Sequence, residues 1–139
     1  MAVARYLVDM SVWARAGKPG VRAALEPKLL RGLVGTSGII DLELLFSARN
    51  ADDYERMLGR RQAFEWFPTT DEIVARAIEV QGFCARKGNH RALSIPDLLV
   101  AATAERHGLT LLHYDGDFDL IAEVTGQLTE WIVPRGTAD

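Results

Sequence analysis

The sequence predicts an α/β fold, a three-layer α/β/α sandwich around a mainly parallel central sheet. Three observations lead there. Short apolar segments that read as strands alternate with longer segments of helical spacing. Two of the strand-like segments end on, or just before, an aspartate: Asp9 closes the first, and Asp115 follows Leu109–His113. The chain has 139 residues, 48% hydrophobic and 25% charged, which suits one domain with a real core rather than a disordered chain.

The elements follow in order. Arg5–Asp9 reads as a short buried strand. Ser11–Ala16 reads as a short helix, broken by Gly17-Lys-Pro-Gly20. Val21–Arg31 has helical spacing through Leu25, Leu29 and Leu30. Leu33–Thr36 reads as a second strand, and Gly38–Arg49, dense in Ile and Leu, as a helix. Asn50–Phe64 repeats apolar residues at Tyr54, Met57, Leu58 and Phe64, the pattern of an amphipathic helix. Trp66-Phe67 reads as a brief strand. A helix from Thr70 or Asp71 to Arg86 has its apolar face at Ile73, Val74, Ala77 and Ile78. Gly88–Arg91 reads as a loop. Ser94 suits the N-cap of a helix to about His107, with Gly108 as its stop. Leu109–His113 reads as a strand, Asp115–Asp117 as a turn, Phe118–Val124 as a short helix and Thr129–Val133 as a last strand. Residues 1–133 are thus expected to form a single domain, with 134–139 as a frayed tail. The helices over 51–64 and 71–86 are expected to form a hairpin.

Composition excludes several classes. The single cysteine, Cys84, rules out an internal disulfide and a zinc cluster of cysteines, and fits a reducing cytosol. The N-terminus lacks a basic start followed by an apolar stretch, so no signal peptide is expected, and no apolar run approaches a membrane span. The net charge of −3 counts mildly against a nucleic-acid binder, although cations held by carboxylates would offset it.

The acids carry the chemistry. In open parallel sheets, ligands gather at the carboxyl ends of strands, where Asp9 and Asp115 fall. Either could also be a plain turn former or helix cap. Asp97 lies in Ser94-Ile-Pro-Asp97, a capping box worth about 1 kcal/mol, at the mouth of a helix whose next residues are apolar. Glu43 shares a helix face with Ile39, Ile40 and Phe46, so it is expected on or beside the core-facing side, paired with an arginine or a cation, while Asp41 points to the polar side. Asp115-Gly-Asp117-Phe-Asp119 offers further carboxylates, without the ligand spacing of an EF-hand. These donors are all hard oxygens, the set that suits Mg²⁺ or Mn²⁺. A cation held by a few carboxylates keeps open positions for phosphate oxygens and a water nucleophile, which makes phosphodiester hydrolysis the natural chemistry.

The pattern resembles a known family. Tyr6-Leu-Val-Asp9-Met-Ser11-Val-Trp13 looks like the opening of PIN domains. Ile39-Ile-Asp-Leu-Glu43, then Ile95-Pro-Asp97-Leu-Leu-Val-Ala-Ala, then Gly108-Leu-Thr-Leu-Leu-His-Tyr-Asp115-Gly-Asp117-Phe118 follow in order. Order, spacing and length resemble the VapC-like toxin branch of toxin–antitoxin pairs over nearly the whole chain. The resemblance implies a PIN-like fold and a metal-dependent endoribonuclease. Asp9, Glu43, Asp97 and Asp115 match its catalytic acids. Asp9, Asp97 and Asp115, with Asp117 as an accessory acid, match its metal positions, and Glu43 would hold a second ion or orient water. Ser11 matches a small hydroxyl residue that arranges the first aspartate. Met10 and His113 stand where threonine or serine is common. The resemblance further implies Mg²⁺ (with Mn²⁺ as a substitute), a cognate antitoxin received by the 51–86 hairpin, homodimerisation and a cytoplasmic location.

Arg86, Lys87 and Arg91, with His90 between them, precede the Asp97 helix and are candidates for gripping an RNA backbone; a solvated loop is the plain alternative. Trp13 reads as a core residue or a base-stacking platform, His113 as a packing residue or a substrate contact, and Cys84 as packing. Competing functions are another Mg²⁺-dependent phosphohydrolase, such as a DNA nuclease, and a non-catalytic PIN-like domain. A haloacid-dehalogenase-type phosphatase would want an acid where Ser11 stands, and a receiver domain lacks a good phosphoacceptor.

Overall fold

A computed structural model describes residues 3–139. Met1 and Ala2, the first residues of the domain expected over 1–133, lie outside the described residues. Five strands form one sheet in the order β3-β2-β1-β4-β5: β1 (Tyr6–Val8), β2 (Val34–Ser37), β3 (Glu65–Phe67), β4 (Thr110–His113) and β5 (Thr129–Trp131). Every pairing is parallel. The helices are α1 (Met10–Trp13), α2 (Pro19–Leu30), α3 (Gly38–Leu45), α4 (Ala51–Arg61), α5 (Asp71–Arg86), α6 (Ile95–Arg106) and α7 (Asp117–Thr125).

The two-residue period of a strand builds the three layers. Leu7 of β1 pairs with Leu111 of β4, and both pack toward α3, α5, α6 and α7. Their successors Val8 and Leu112 face the other way, onto Val12 of α1 and Val21 and Leu25 of α2. All four sheet side chains are fully buried, so the central strands read as continuous apolar runs, as parallel sheets require. The chain leaves β1 toward β2 and β3 on one side and adds β4 and β5 on the other. The strand order therefore reverses between β1 and β4, which places a ligand crevice at the carboxyl ends of those two strands.

Several expectations need correction. The short first helix begins at Met10 rather than Ser11, because Asp9 is its N-cap. The helix from Gly38 stops at Leu45, not Arg49, and Phe46 beyond it is 91% exposed rather than core-facing. The expected hairpin does not form: β3 intervenes and joins the sheet edge, so α4 packs on α3 whereas α5 packs on α6 and α7. The loop before Ser94 contains a 3-10 turn, His90–Ala92. The tail is also not frayed. The Tyr114 hydroxyl donates to Asp139 Oδ1 (2.8 Å) and accepts from the amides of Gly136 (2.7 Å) and Ala138 (2.9 Å), and Ala138 is buried in the second core. Among the described residues, no helix is long and apolar enough to cross a membrane.

Candidate metal centre at the carboxyl edge of the sheet

Each acid reaches the site through a local rule of chain geometry. Asp9 leaves β1 and caps α1, its Oδ2 accepting from the Ser11 amide at 2.9 Å. Asp97 lies in the first turn of α6, where the Ser94 hydroxyl accepts from its amide at 3.1 Å. Asp115 leaves β4, and its Oδ1 accepts from the Asp117 amide at 3.0 Å, so this carboxylate itself shapes the turn into α7. Glu43 projects from α3, the helix after β2.

Asp97, Asp115 and Asp117 converge: one carboxylate oxygen of each lies within 4.8 Å of the others. Asp9 and Glu43 flank this group. Asp9 is 4% exposed, and its Oδ1 is buried without a hydrogen-bond partner. Glu43 Oε1 is likewise buried and unpartnered. No arginine pairs with Glu43 among the described residues. The nearest expected pairing goes to Asp41 instead: Arg61, 4% exposed, donates from Nε to Asp41 Oδ1 (2.9 Å) and from Nη2 to Thr36 Oγ1 (2.8 Å). Asp41 is therefore tied to a buried guanidinium rather than solvated, and Glu43 is left to the centre.

The electrostatics agree with the geometry. Burial, then the Asp9 and Asp115 charges, push the Asp97 carboxyl up to about 7, against an opposing hydrogen bond from Ser94 and with a smaller contribution from Asp117. Burial raises Asp9 despite hydrogen bonds from Ser11 and Met10, with the Asp115 charge adding to it. Glu43 is raised by burial and by Asp9, and Asp117 by burial and by Asp115. Carboxylates crowded and desolvated in this way resist ionising together unless a cation joins them. Two orphaned buried oxygens and an all-oxygen donor set fit a hard divalent ion.

Ser11 and His113 brace the centre. The Ser11 amide holds Asp9, while its Oγ accepts from the Tyr114 amide at 2.9 Å, tying the ends of β1 and β4 together. His113 is fully buried, between the rings of Phe118 and Trp131, and its Nδ1 accepts from the Asp115 amide at 3.2 Å. Burial lowers its pKa, against the pull of Asp119 and Asp115, so the neutral ring with its proton on Nε2 fits this bond. It packs and orients the Asp115 loop. Trp13 is a packing residue too, its indole N–H donating to Val8 O at 3.1 Å and its ring under Arg61. Cys84 is buried in the core.

Arg86 and Lys87 of the candidate basic grip are engaged away from the acids. Arg86 lies over the Phe83 ring and Lys87 pairs with Glu123, and both line a separate cleft with Phe83, Glu123 and Val124. Arg91 stays exposed on the 3-10 turn before Ser94. Two cations that the sequence reading passed over, Arg15 and Arg135, instead share a cleft with Asp115. Arg135 was hidden by placing it in a frayed tail.

Fold and site together define a class: an all-parallel α/β domain with a cluster of oxygen donors at its switch point. The PIN-domain model matches residues 6–124, and the chain belongs to the PIN-domain family. Ribonuclease VapC21 of Mycobacterium tuberculosis is 49% identical over 136 residues, spanning 96% of this chain and 98% of that protein. Ribonuclease VapC51 of the same organism is 47% identical over 135 residues, spanning 97% and 98%. Among solved structures, VapBC2 from Rickettsia felis, bound to a DNA fragment from their promoter, superposes with a TM-score of 0.73 at 16% identity, covering 90% of this chain and 96% of that one. FitAcB from Neisseria gonorrhoeae superposes with a TM-score of 0.73 at 20% identity, covering 91% and 97%. At such identities the structural likeness concerns the fold.

Proposed function

We propose that this protein is the toxin of a toxin–antitoxin pair, an endoribonuclease that hydrolyses RNA phosphodiester bonds with Mg²⁺ or Mn²⁺ and is restrained by a cognate antitoxin in the cytoplasm. The observation that carries the reading is the convergence of Asp97, Asp115 and Asp117 beside the orphaned oxygens of Asp9 and Glu43. Relatives named as ribonucleases over nearly the full chain support RNA as substrate.

Bound at this centre, a divalent ion would polarise a phosphate oxygen and acidify a water. Asp97, Asp115 and Asp117 would hold such an ion, with Asp9 closing the set from β1. Glu43, whose Oε1 is buried without a hydrogen-bond partner, would orient the attacking water and take its proton there. Ser11 keeps Asp9 and the Tyr114–Asp115 turn in register. Arg91 contacts the RNA backbone from the α6 side. Exposed Tyr54, Trp66, Val74 and Ile78 supply apolar surface along 51–86 for an antitoxin segment, and the assembly is a dimer of toxins.

Purified, antitoxin-free protein incubated with total cellular RNA tests this reading. Discrete fragments are expected in Mg²⁺ and in Mn²⁺, none in EDTA, and at least about a hundredfold less cleavage with Asp97→Asn, of the order that removing a group acting in the transition state costs. Cleavage that survives both EDTA and Asp97→Asn would overturn it.

A further inference from the structure

Arg15 and Arg135 stand beside the acidic centre with no carboxylate partner among the described residues, whose ion pairs involve other cations. Arg15 is half-buried just past α1. Its Nη1 donates to Ser11 O (2.9 Å), its Nε donates to Ala138 O (3.0 Å), and its guanidinium lies 4.7 Å from the centre of the Tyr114 ring. These partners are all neutral, so a positioned, partly desolvated positive charge is left without a direct ion-pair partner.

Arg135 arrives from the tail, presented by the turn that Tyr114 Oη anchors through Gly136 and Ala138. Its guanidinium lies 5.4 Å from the centre of the Trp131 ring and directly over Gly116. A methyl group at Gly116 would sit 3.1–3.2 Å from that guanidinium. Gly116 has φ −61°, open to any residue, so glycine here provides space for Arg135 rather than an unusual backbone.

Both arginines line one cleft of about 310 Å³, at the lower end of ligand-pocket volumes, and Asp115 forms its shared wall with the metal centre. Asp139 borders the same cleft, but its Oδ1 is engaged by the Tyr114 hydroxyl and its backbone oxygen by Lys18 Nζ (2.8 Å), so neither arginine is spent on it. Two fixed guanidinium groups beside a carboxylate cluster suit a strand that places one phosphate on the ion and the next on the arginines, although Asp115 and Asp139 also line the cleft.

We propose that this cleft is a substrate subsite that receives the phosphate of the nucleotide next to the scissile bond, gripped by Arg15 and Arg135 beside Trp131. The proposal rests on the ribonuclease reading.

Its test is binding of a fluorescein-labelled, random-sequence, single-stranded RNA 12-mer to Asp97→Asn protein in Mg²⁺, between about 50 and 200 mM salt. In that background, Arg135→Ala is expected to weaken binding about fivefold and to flatten the plot of log affinity against log salt by about 0.7, one phosphate contact on a single strand. Arg135→Lys is expected to keep the slope. Gly116→Ala, which displaces the guanidinium without removing it, is expected to weaken binding in the same direction. Arg15→Ala is read beside these surface changes because it also loosens the tail. Unchanged affinity and slope for Arg135→Ala and Arg15→Ala, while the wild type cleaves RNA, would overturn the subsite alone. No binding by the Asp97→Asn parent together with no cleavage by the wild type would overturn the subsite and the ribonuclease reading alike.

Discussion

Asp97 does two jobs that pull in opposite directions. Its amide completes the cap of α6 with Ser94, which favours a carboxylate at that helix end. Its carboxyl is half-buried beside Asp9, Asp115 and Asp117, which favours the neutral acid and lifts the pKa to about 7. In the metal-free protein the folded state therefore keeps a proton that the unfolded chain has released above about pH 4. The unfolded state binds fewer protons across that window, so stability falls as pH rises from about 4 to about 7 and levels off beyond. Asp9, Glu43 and Asp117, also raised, act in the same sense. Thermal melts in EDTA should show Tm falling over this range, a shallower fall in Asp97→Asn, and recovery when Mn²⁺ is added near pH 7.5. A flat Tm profile in the wild type would refute this pKa assignment. Reading Asp97 from sequence was possible because a capping box has a fixed spacing. Its coupling to three other acids was not, because that needs β1 and β4 to be neighbours.

At the scale of elements, alternation of apolar runs and helical spacing exposed the strands and the long helices, whose types survive in the structure with shifted ends. Less legible were the features set by contacts between distant elements. Asp41 looked like a solvated residue opposite Glu43, yet α4 ends by placing Arg61 across it, with Thr36 of β2 completing the network. The guanidinium lies over Trp13 and Phe64, 4.6 and 4.8 Å from their ring centres, which no helical periodicity reveals. Arg61→Ala would leave the Asp41 charge half-buried without its partner. It is expected to destabilise the fold by about 3 kcal/mol in chemical denaturation, the scale for breaking a buried pair from one side. A loss below about 0.5 kcal/mol would show the pair to be energetically idle. The tail was misread for the same reason. Pro134, Gly136 and Asp139 look like a fraying end, and distant partners, the Tyr114 hydroxyl, Arg15 and Lys18, make them a folded turn.

For the whole molecule, the switch point between β1 and β4 explains why the acids, scattered from Asp9 to Asp117, meet at one edge. The formal charge of −3 is misleading in the same spirit, since it sums a carboxylate cluster with arginines that face a different wall of the same crevice. The measurement that probes this arrangement most directly is calorimetric titration of Mn²⁺ into the protein at pH 6 and at pH 7.5, for the wild type and for Asp115→Asn. Saturable binding is expected, tighter at pH 7.5 because the acids must shed protons to ligate, and weakened at least about tenfold (about 1.4 kcal/mol) in the variant. No Mn²⁺ binding by the wild type at either pH, or equal binding by Asp115→Asn, would contradict a metal centre at the carboxyl edge of the sheet.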